Sequence, residues 1–157
     1  MIMDWYLIVK TLHIICSTIL FGTGIGTAFF MFRSFFTDNI HEKYYAARST
    51  VMADYIFTLP AVIFQPLSGI LLIDLAGHDW NSQWLIWTYA LYAISGACWL
   101  PVVWIQIELK KMLRRAVETG VPLPERYNRL FKVWFILGWP AFLGLVVIFY
   151  LMVSRPV

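Results

Sequence analysis

Residues 11–32 read TLHIICSTILFGTGIGTAFFMF, a stretch without Asp, Glu, Lys or Arg. A helix of this length rises about 33 Å, which is enough to cross a hydrocarbon core of about 30 Å. Three more runs without these charged residues follow, at residues 55–73, 80–107 and 133–154. Each run is long enough to span a bilayer. The sequence therefore predicts an all-α polytopic membrane protein, a bundle of four transmembrane helices.

The composition of the whole chain agrees with this fold class. Of 157 residues, 61% are hydrophobic and only 13% are charged, and the mean hydropathy is +0.71. These values lie far outside the range of soluble domains. We predict a single transmembrane domain over residues 1–157, with helices at about 5–33, 50–75, 84–117 and 126–154, and no separate soluble domain.

The basic residues are distributed asymmetrically over the loops. Ten of the twelve fall in the loops between helices one and two and between helices three and four: Arg33, Lys43, Arg48, Lys110, Lys111, Arg114, Arg115, Arg126, Arg129 and Lys132. Because basic loops stay in the cytoplasm, both termini are predicted to face the opposite side. The net charge of +3 then reflects topology and contact with anionic lipid headgroups, and no nucleic-acid partner is expected.

Helix one has two different faces. An imidazole in an apolar span needs a partner, so the face that carries His13 is predicted to turn inward. Small residues beside this histidine leave room for a flat ligand or for a neighbouring helix. The opposite face, with Gly22 and Gly26, is predicted to pack against another backbone. The inward face comprises Lys10, His13, Ser17, Leu20, Gly24 and Ala28.

Polar stripes are also predicted on helices two and three, and lipid offers such side chains no partners. They either line a ligand cavity or hydrogen-bond to one another, and Gln65 is open to both interpretations. Asp54 is interpreted as an ion-pair partner of Arg48 or of the 126–132 basic cluster, with proton transfer as the alternative. The stripes are Asp54, Thr58, Ala61, Gln65, Ser68 and Gly69 on helix two, and Thr88, Tyr92, Ser95, Trp99 and Gln106 on helix three.

Several short motifs resemble a known family. They are Lys10-x-x-His13-Ile-Ile, the glycine-rich continuation to Phe29-Phe-Met-Phe-Arg33, Thr58-Leu-Pro60 with Gly69, and Val153-Ser-Arg-Pro156. Together they resemble an uncharacterised bacterial four-helix integral membrane family, a domain of unknown function related to HemJ-type protoporphyrinogen oxidase. Where that oxidase family carries an Asn-Glu pair before the proline of helix four, this chain has Leu137-Gly138-Trp139. No catalytic residue is therefore assigned.

The resemblance implies a protein of the bacterial inner membrane that binds haem b or a porphyrin in a redox role, and an oxidoreductase if it is an enzyme. His13 would be an axial ligand of the haem iron, and Lys10 would pair with an anionic porphyrin side chain. The second axial ligand of the iron would be Met152, water or His13 of a second protomer in a homodimer. The predicted cofactor-binding residues are His13, Lys10, Ser17, Gly24 and Gln65.

Two other functions are compatible with the residues. The chain is alternatively a non-catalytic membrane subunit or scaffold, in which His13 hydrogen-bonds across the bundle to Gln65, Ser95 or a backbone carbonyl. In that case residues 108–132, with apolar positions on one helix face and charges on the other, would dock a soluble partner or partner subunit. A small-solute transporter ranks last because no internal repeat is evident.

Overall fold

The chain folds into four long antiparallel helices in a computed structural model, which describes residues 2–155 and the side chains of residues 4–155. The second span is continuous through a π-helical turn, and all four spans are long and apolar enough to cross a membrane. The predicted all-α four-helix class is confirmed. The elements are α1 (Ile2–Ser34), α2 (Ile40–Ala53), the π turn (Asp54–Thr58), α3 (Leu59–Ala76), α4 (Gln83–Thr119) and α5 (Glu125–Ser154).

Two ends of the bundle are distinguished by charge. We call the end where α1 and α4 finish and α2 and α5 begin the basic end. The opposite end, with the α3–α4 loop, the start of α1 and the end of α5, is the termini end. Pro156, the last residue of the C-terminal motif, lies outside the described residues.

The second span begins at Ile40, ten residues before the predicted start near 50. Asn39 caps α2, because its side chain accepts a hydrogen bond from the backbone N–H of His41 over 3.0 Å. The helix is amphipathic and not apolar throughout, so the search for uncharged runs missed it. It buries a single face made of Ala46, Ala47, Thr50 and Val51.

The π turn between α2 and α3 has a local cause in the sequence. Pro60 has no backbone N–H, and its ring crowds the carbonyl of the residue four positions earlier. The backbone widens just before it, so that the N–H of Leu59 donates to the carbonyl of Asp54, five residues earlier. Such single wide turns occur often at functional sites. Here the turn buries the side chains of Asp54 and Thr58.

The main apolar core lies at the basic end. Leu109 and Leu113 of α4 are almost completely buried there, against α1, α2 and α5. Because α4 is 37 residues long and rises about 55 Å, its last turns extend beyond a membrane core of about 30 Å. The apolar helix face predicted for the α4 part of residues 108–132 is confirmed, because Leu109 and Leu113 lie in this core. The buried cluster comprises Met31, Ala47, Val102, Ile105, Leu109, Leu113, Tyr127, Phe131 and Trp134.

The helices pack as two pairs that meet mainly at the basic end. α1 packs on α3, and α4 packs extensively on α5, while α2 joins the pairs by its contact with α4. Contact between α1 and α5 is sparse. A smaller cluster of Ile73, Trp84, Leu85 and Leu151 closes the termini end. The two pairs therefore diverge within the membrane-spanning region.

The glycine face of α1 does not pack as predicted. A Cβ added at Gly22 or at Gly26 would have no described atom within 4 Å. The prediction of a close helix contact within the chain is therefore wrong at these positions. The face points outward because α1 uses its other face, with His13, to contact α3.

Candidate ligand-binding site

A cavity of about 480 Å³ lies between the two helix pairs. This volume is within the range of small-molecule pockets. Its walls come from α1, the π turn, α3, α4 and α5, and they are mostly apolar and aromatic. Three of the polar side chains that line the cavity lie together toward the basic end, with the indole of Trp134 beside them: Asp54, Thr58 and Gln106. We call these four residues the floor of the cavity.

The exposure of the lining residues Ile25 and Phe32 of α1 and Trp139 of α5 indicates that the cavity opens sideways between these two helices. Two stacked phenylalanine pairs frame the opening: Phe21 with Phe142, and Phe32 with Phe135, each with ring centroids 5.0 Å apart. Along α1 the two pairs are separated by about 16 Å. Gly24 lies between them, and a Cβ there would meet no described atom within 4 Å. The opening, which we call the window, faces the surroundings of the helices, where a bilayer would place its acyl chains.

Gly138 has the same role on the α5 side of the window. It lines the cavity, and a Cβ at this position would also have no described atom within 4 Å. The small residues on the two helices thus keep the window wide. The neighbouring Ile25 and Trp139 line it with apolar surface and remain about half exposed.

Asp54 forms the centre of the floor. The hydroxyl of Thr58 donates to Asp54 Oδ1 over 2.9 Å. The amide nitrogen of Gln106 donates to Asp54 Oδ2 over 2.6 Å, and the amide oxygen of Gln106 accepts from Trp134 Nε1 over 3.2 Å. This orientation of the Gln106 amide is the one that satisfies both of its neighbours. Asp54, Thr58 and Gln106 are each about 95% buried.

No basic side chain of residues 4–155 compensates the charge of Asp54. Among residues 4–155 its carboxylate makes no ion pair, and Arg48 instead lies over the ring of Tyr45, 6.0 Å from its centroid. The interpretation of Asp54 as an ion-pair partner of the basic loops is wrong. The π turn rotates this side chain into the bundle, where neutral donors hold it. Burial of a carboxylate without a counter-charge is costly, and such residues within a membrane protein commonly mark function.

Two further polar groups lie along the α4 wall. The hydroxyl of Tyr92 donates to the carbonyl of Val62 over 2.6 Å and so ties α4 to α3. Ser95 is buried against Gly144, and its hydroxyl has no hydrogen-bond partner in the described part of the chain. The predicted inward orientation of the α3 and α4 polar stripes is confirmed.

His13 takes part in a separate cluster between α1 and α3. The amide of Gln65 donates to His13 Nε2 over 3.0 Å, and His13 Nδ1 lies 2.8 Å from Ser68 Oγ. Because Nε2 accepts a hydrogen bond, Nδ1 carries the ring proton and donates it to Ser68 Oγ. The hydroxyl of Ser68 in turn donates to the carbonyl of Phe64 over 2.8 Å. The cross-bundle hydrogen bond between Gln65 and His13 is present, and Gln65 is one of the partners that the scaffold alternative named.

This arrangement does not fit an axial haem ligand. Ligation requires a free lone pair on one imidazole nitrogen, and both nitrogens of His13 are engaged. His13 does not line the 480 Å³ cavity. Gly69 lies against the imidazole ring of His13, since a Cβ added at Gly69 would be 3.5 Å from His13 Cε1. Met152, the sulfur considered as a second ligand, packs against the termini-end cluster. Haem binding in this arrangement would require His13 to leave its partners.

The other predicted site residues are not gathered around His13. The ammonium of Lys10 lies 5.5 Å from the centroid of the Tyr6 ring. The hydroxyl of Ser17 donates to the carbonyl of Ile14 in its own helix, over 2.8 Å. Gly24 lines the cavity and its window. The structure therefore brings together His13 and Gln65, and it places Gly24 at a different site.

Sequence reasoning did not identify Trp134, Gly138 or the stacked phenylalanines as parts of a site. Trp134 follows the basic 126–132 segment, and nothing in its local sequence separates it from the many other aromatic residues of the chain. Pro60 was the usable signal for the floor. A proline six residues after a buried carboxylate indicates a widened turn at that carboxylate.

The bundle, its apolar spans and its lateral cavity define a polytopic integral membrane protein. Residues 7–156 match the family model for predicted integral membrane proteins known as DUF2269, and the chain belongs to that family. No curated protein and no solved structure matches the chain.

Proposed function

We propose that this protein binds a lipophilic small molecule that enters from the bilayer through the window between α1 and α5. The observation that carries the proposal is a pocket-sized cavity that combines an apolar, lipid-facing opening with a buried polar floor. Binding pockets typically have this composition, in which apolar walls supply affinity and a few polar groups set orientation. The ligand would lie along the aromatic walls with its polar group at Asp54 and Gln106.

The glycines of α1 allow a matched test. Gly24→Leu places a side chain into the window, whereas Gly22→Leu places the same side chain on the outward face two residues away. Neither position has a described neighbour that would clash with a Cβ. Gly138→Leu blocks the window from the α5 side.

The measurement is native mass spectrometry of the protein released from mild detergent micelles, with identification of the co-purified small molecules. We expect an adduct on the wild-type protein and on Gly22→Leu that is lost from Gly24→Leu and Gly138→Leu. Retention of the same adduct by both window variants, or no adduct on the wild-type protein, would contradict the proposal.

Haem or porphyrin binding through His13, which the HemJ resemblance implies, is a distinct redox hypothesis. It requires His13 to exchange its bond with Gln65 for one with iron. Its test is the visible spectrum of protein expressed with a haem precursor. The hypothesis predicts a Soret band that strengthens in Gln65→Ala, because that variant frees Nε2, and that is lost in His13→Ala. Absence of the band from both the wild-type protein and Gln65→Ala overturns it.

A second candidate function is a membrane subunit that docks a partner through residues 108–132. The dense core beneath this extension favours it, because that core gives α4 a rigid position. The hydrogen bonds of His13 join α1 to α3, as the scaffold interpretation expects. Arg114 is already paired with Glu118 over 2.7 Å, while Arg115 is exposed. Reversal of both arginines to glutamate should abolish co-purification of a partner. A partner that still binds this variant excludes the surface.

We further propose that the protein lies in the bacterial inner membrane with both termini on the periplasmic side. The distribution of ten basic residues at one end of the bundle supports this orientation. A C-terminal alkaline phosphatase fusion should be active and a C-terminal green fluorescent protein fusion dark. The reverse pattern would exclude this orientation.

A further inference from the structure

We infer that the ligand of this cavity is a lipophilic monocation, such as a hydrophobic amine or quaternary ammonium, with the Asp54 carboxylate as its counter-charge. This inference rests on the proposed function, because it names the chemical class that the same cavity would bind.

The first support is the charge balance of the floor. The two donors that contact the carboxylate, the Thr58 hydroxyl and the Gln106 amide, are both neutral. No lysine, arginine or histidine is among the described residues that line the cavity. A buried ionised carboxylate without a cation is unfavourable, and a cationic ligand removes that cost. The ligand thus supplies the charge that the described residues do not.

The second support is the remaining acceptor capacity of Asp54. An ionised carboxylate offers about four acceptor positions. The donors of Thr58 and Gln106 occupy one position on each oxygen. The positions that remain can accept N–H donors from an ammonium group or face a quaternary cation. A neutral apolar ligand would leave them unused.

The third support is the aromatic lining. Trp99, Trp134, Trp139 and Phe21 all contribute to the cavity. Aromatic faces attract cations, and tryptophan does so most strongly. Apolar walls and a window toward lipid favour an organic cation over a hydrated metal ion, which keeps oxygen ligands around it. The same lining lacks a basic group for a phosphate, so an anionic ligand is disfavoured.

The experiment compares a lipophilic cation with a neutral molecule of similar shape. Tetraphenylphosphonium and triphenylphosphine oxide are equilibrated by dialysis with the purified protein in mild detergent, against protein-free micelles at the same detergent concentration. We expect the wild-type protein to bind the cation at least about tenfold more tightly than the neutral probe, because a desolvated charge pair contributes at least this much. Asp54→Asn should remove that preference, while Asp38→Asn, an exposed acidic position at the same end, should keep it.

A charge-swap variant controls for misfolding of Asp54→Asn. The double variant Asp54→Asn with Gln106→Glu moves the carboxylate across the same hydrogen bond. The new carboxylate at position 106 accepts from the new amide at position 54 and from Trp134 Nε1, so the donor pattern of the floor is preserved. Recovery of the cation preference in this variant supports the inference. Failure of a folded double variant to recover it overturns the inference.

The outcomes separate this inference from the proposed function. If the neutral probe binds, is excluded by Gly24→Leu, and the cation binds no more tightly, the cavity is a ligand site and the charge assignment is wrong. If neither probe binds, the inference fails, while the native mass spectrometry of the window variants decides the proposed function separately.

Discussion

The amide nitrogen of Gln65 donates to Nε2 of His13 over 3.0 Å and thereby joins α3 to α1. Ser68, one turn further along α3, holds the other ring nitrogen. An imidazole that would otherwise lie unpartnered in an apolar helix is thus satisfied from both sides. The same contacts leave the amide oxygen of Gln65 buried without a partner among the described atoms.

The His13–Gln65 bond should contribute measurably to stability. We expect the free energies of unfolding in a double-mutant cycle of His13→Ala and Gln65→Ala to be non-additive by about 1 kcal/mol, the upper part of the range for hydrogen bonds between membrane helices. The measurement is SDS titration of the protein in mixed micelles, followed by far-ultraviolet circular dichroism. His41→Ala, at an exposed position of α2, should leave stability unchanged. Additive effects would show that the bond contributes nothing.

Gly144 should tolerate no side chain unless Ser95 is also changed. The Ser95 hydroxyl occupies the position of a Cβ at residue 144, between α4 and α5. Gly144→Ala should therefore lower the free energy of unfolding by about 1–3 kcal/mol through overpacking. The double variant with Ser95→Gly should recover most of that loss. Gly96→Ala has open space around its Cβ and serves as the control. Equal effects at positions 96 and 144 would contradict this packing.

Gly22→Ala and Gly26→Ala should stabilise the protein. Both glycines lie within α1 with helical neighbours and open space around the Cβ position. Alanine removes the entropic cost of glycine in a helix, so each substitution should raise the free energy of unfolding by up to about 1 kcal/mol. If this face instead packs on a second copy of the chain, the substitutions should lower the free energy of unfolding, and this loss should grow as the protein concentration rises. Thermal unfolding at two protein-to-detergent ratios distinguishes these results.

The position of the core predicts different costs for two leucines of α4. Leu109 is 0% exposed within the basic-end cluster, whereas Leu100 is 65% exposed on the outer surface of the bundle. Leu109→Ala should cost about 2–5 kcal/mol because it leaves a cavity. Leu100→Ala should change stability by less than about 0.5 kcal/mol. SDS titration measures both, and similar losses would place the core elsewhere.

Much of the fold follows from the sequence by local rules. The four uncharged runs predict the four spans because each covers the hydrocarbon thickness, and Gly120 ends α4 in the left-handed conformation expected of a helix-terminating glycine. The early start of α2 was missed because its first turns carry Glu42, Lys43 and Arg48, which interrupt any run without charged residues. The family membership of residues 7–156 agrees with the predicted membrane family but does not extend to haem.

The candidate site could be predicted only in part. Periodicity placed Asp54, Thr58 and Gln106 on inward faces, because lipid cannot satisfy such groups. It did not indicate that Asp54 meets Gln106 and lacks a cation, since helical spacing says nothing about which helix lies opposite. It also placed Gly24 on the same face as His13, although the divergence of the helix pairs separates them into two sites.

The sequence by itself determined the number of spans, the charge asymmetry between the two ends and the inward orientation of the polar residues. These properties depend on transfer between water and lipid, which each segment undergoes independently of the others. Only the tertiary structure decided that His13 is paired with Gln65 and that a carboxylate lies uncompensated beneath a window of phenylalanines. Those relationships depend on which helices are neighbours, and side-chain packing across distant parts of the chain sets that choice.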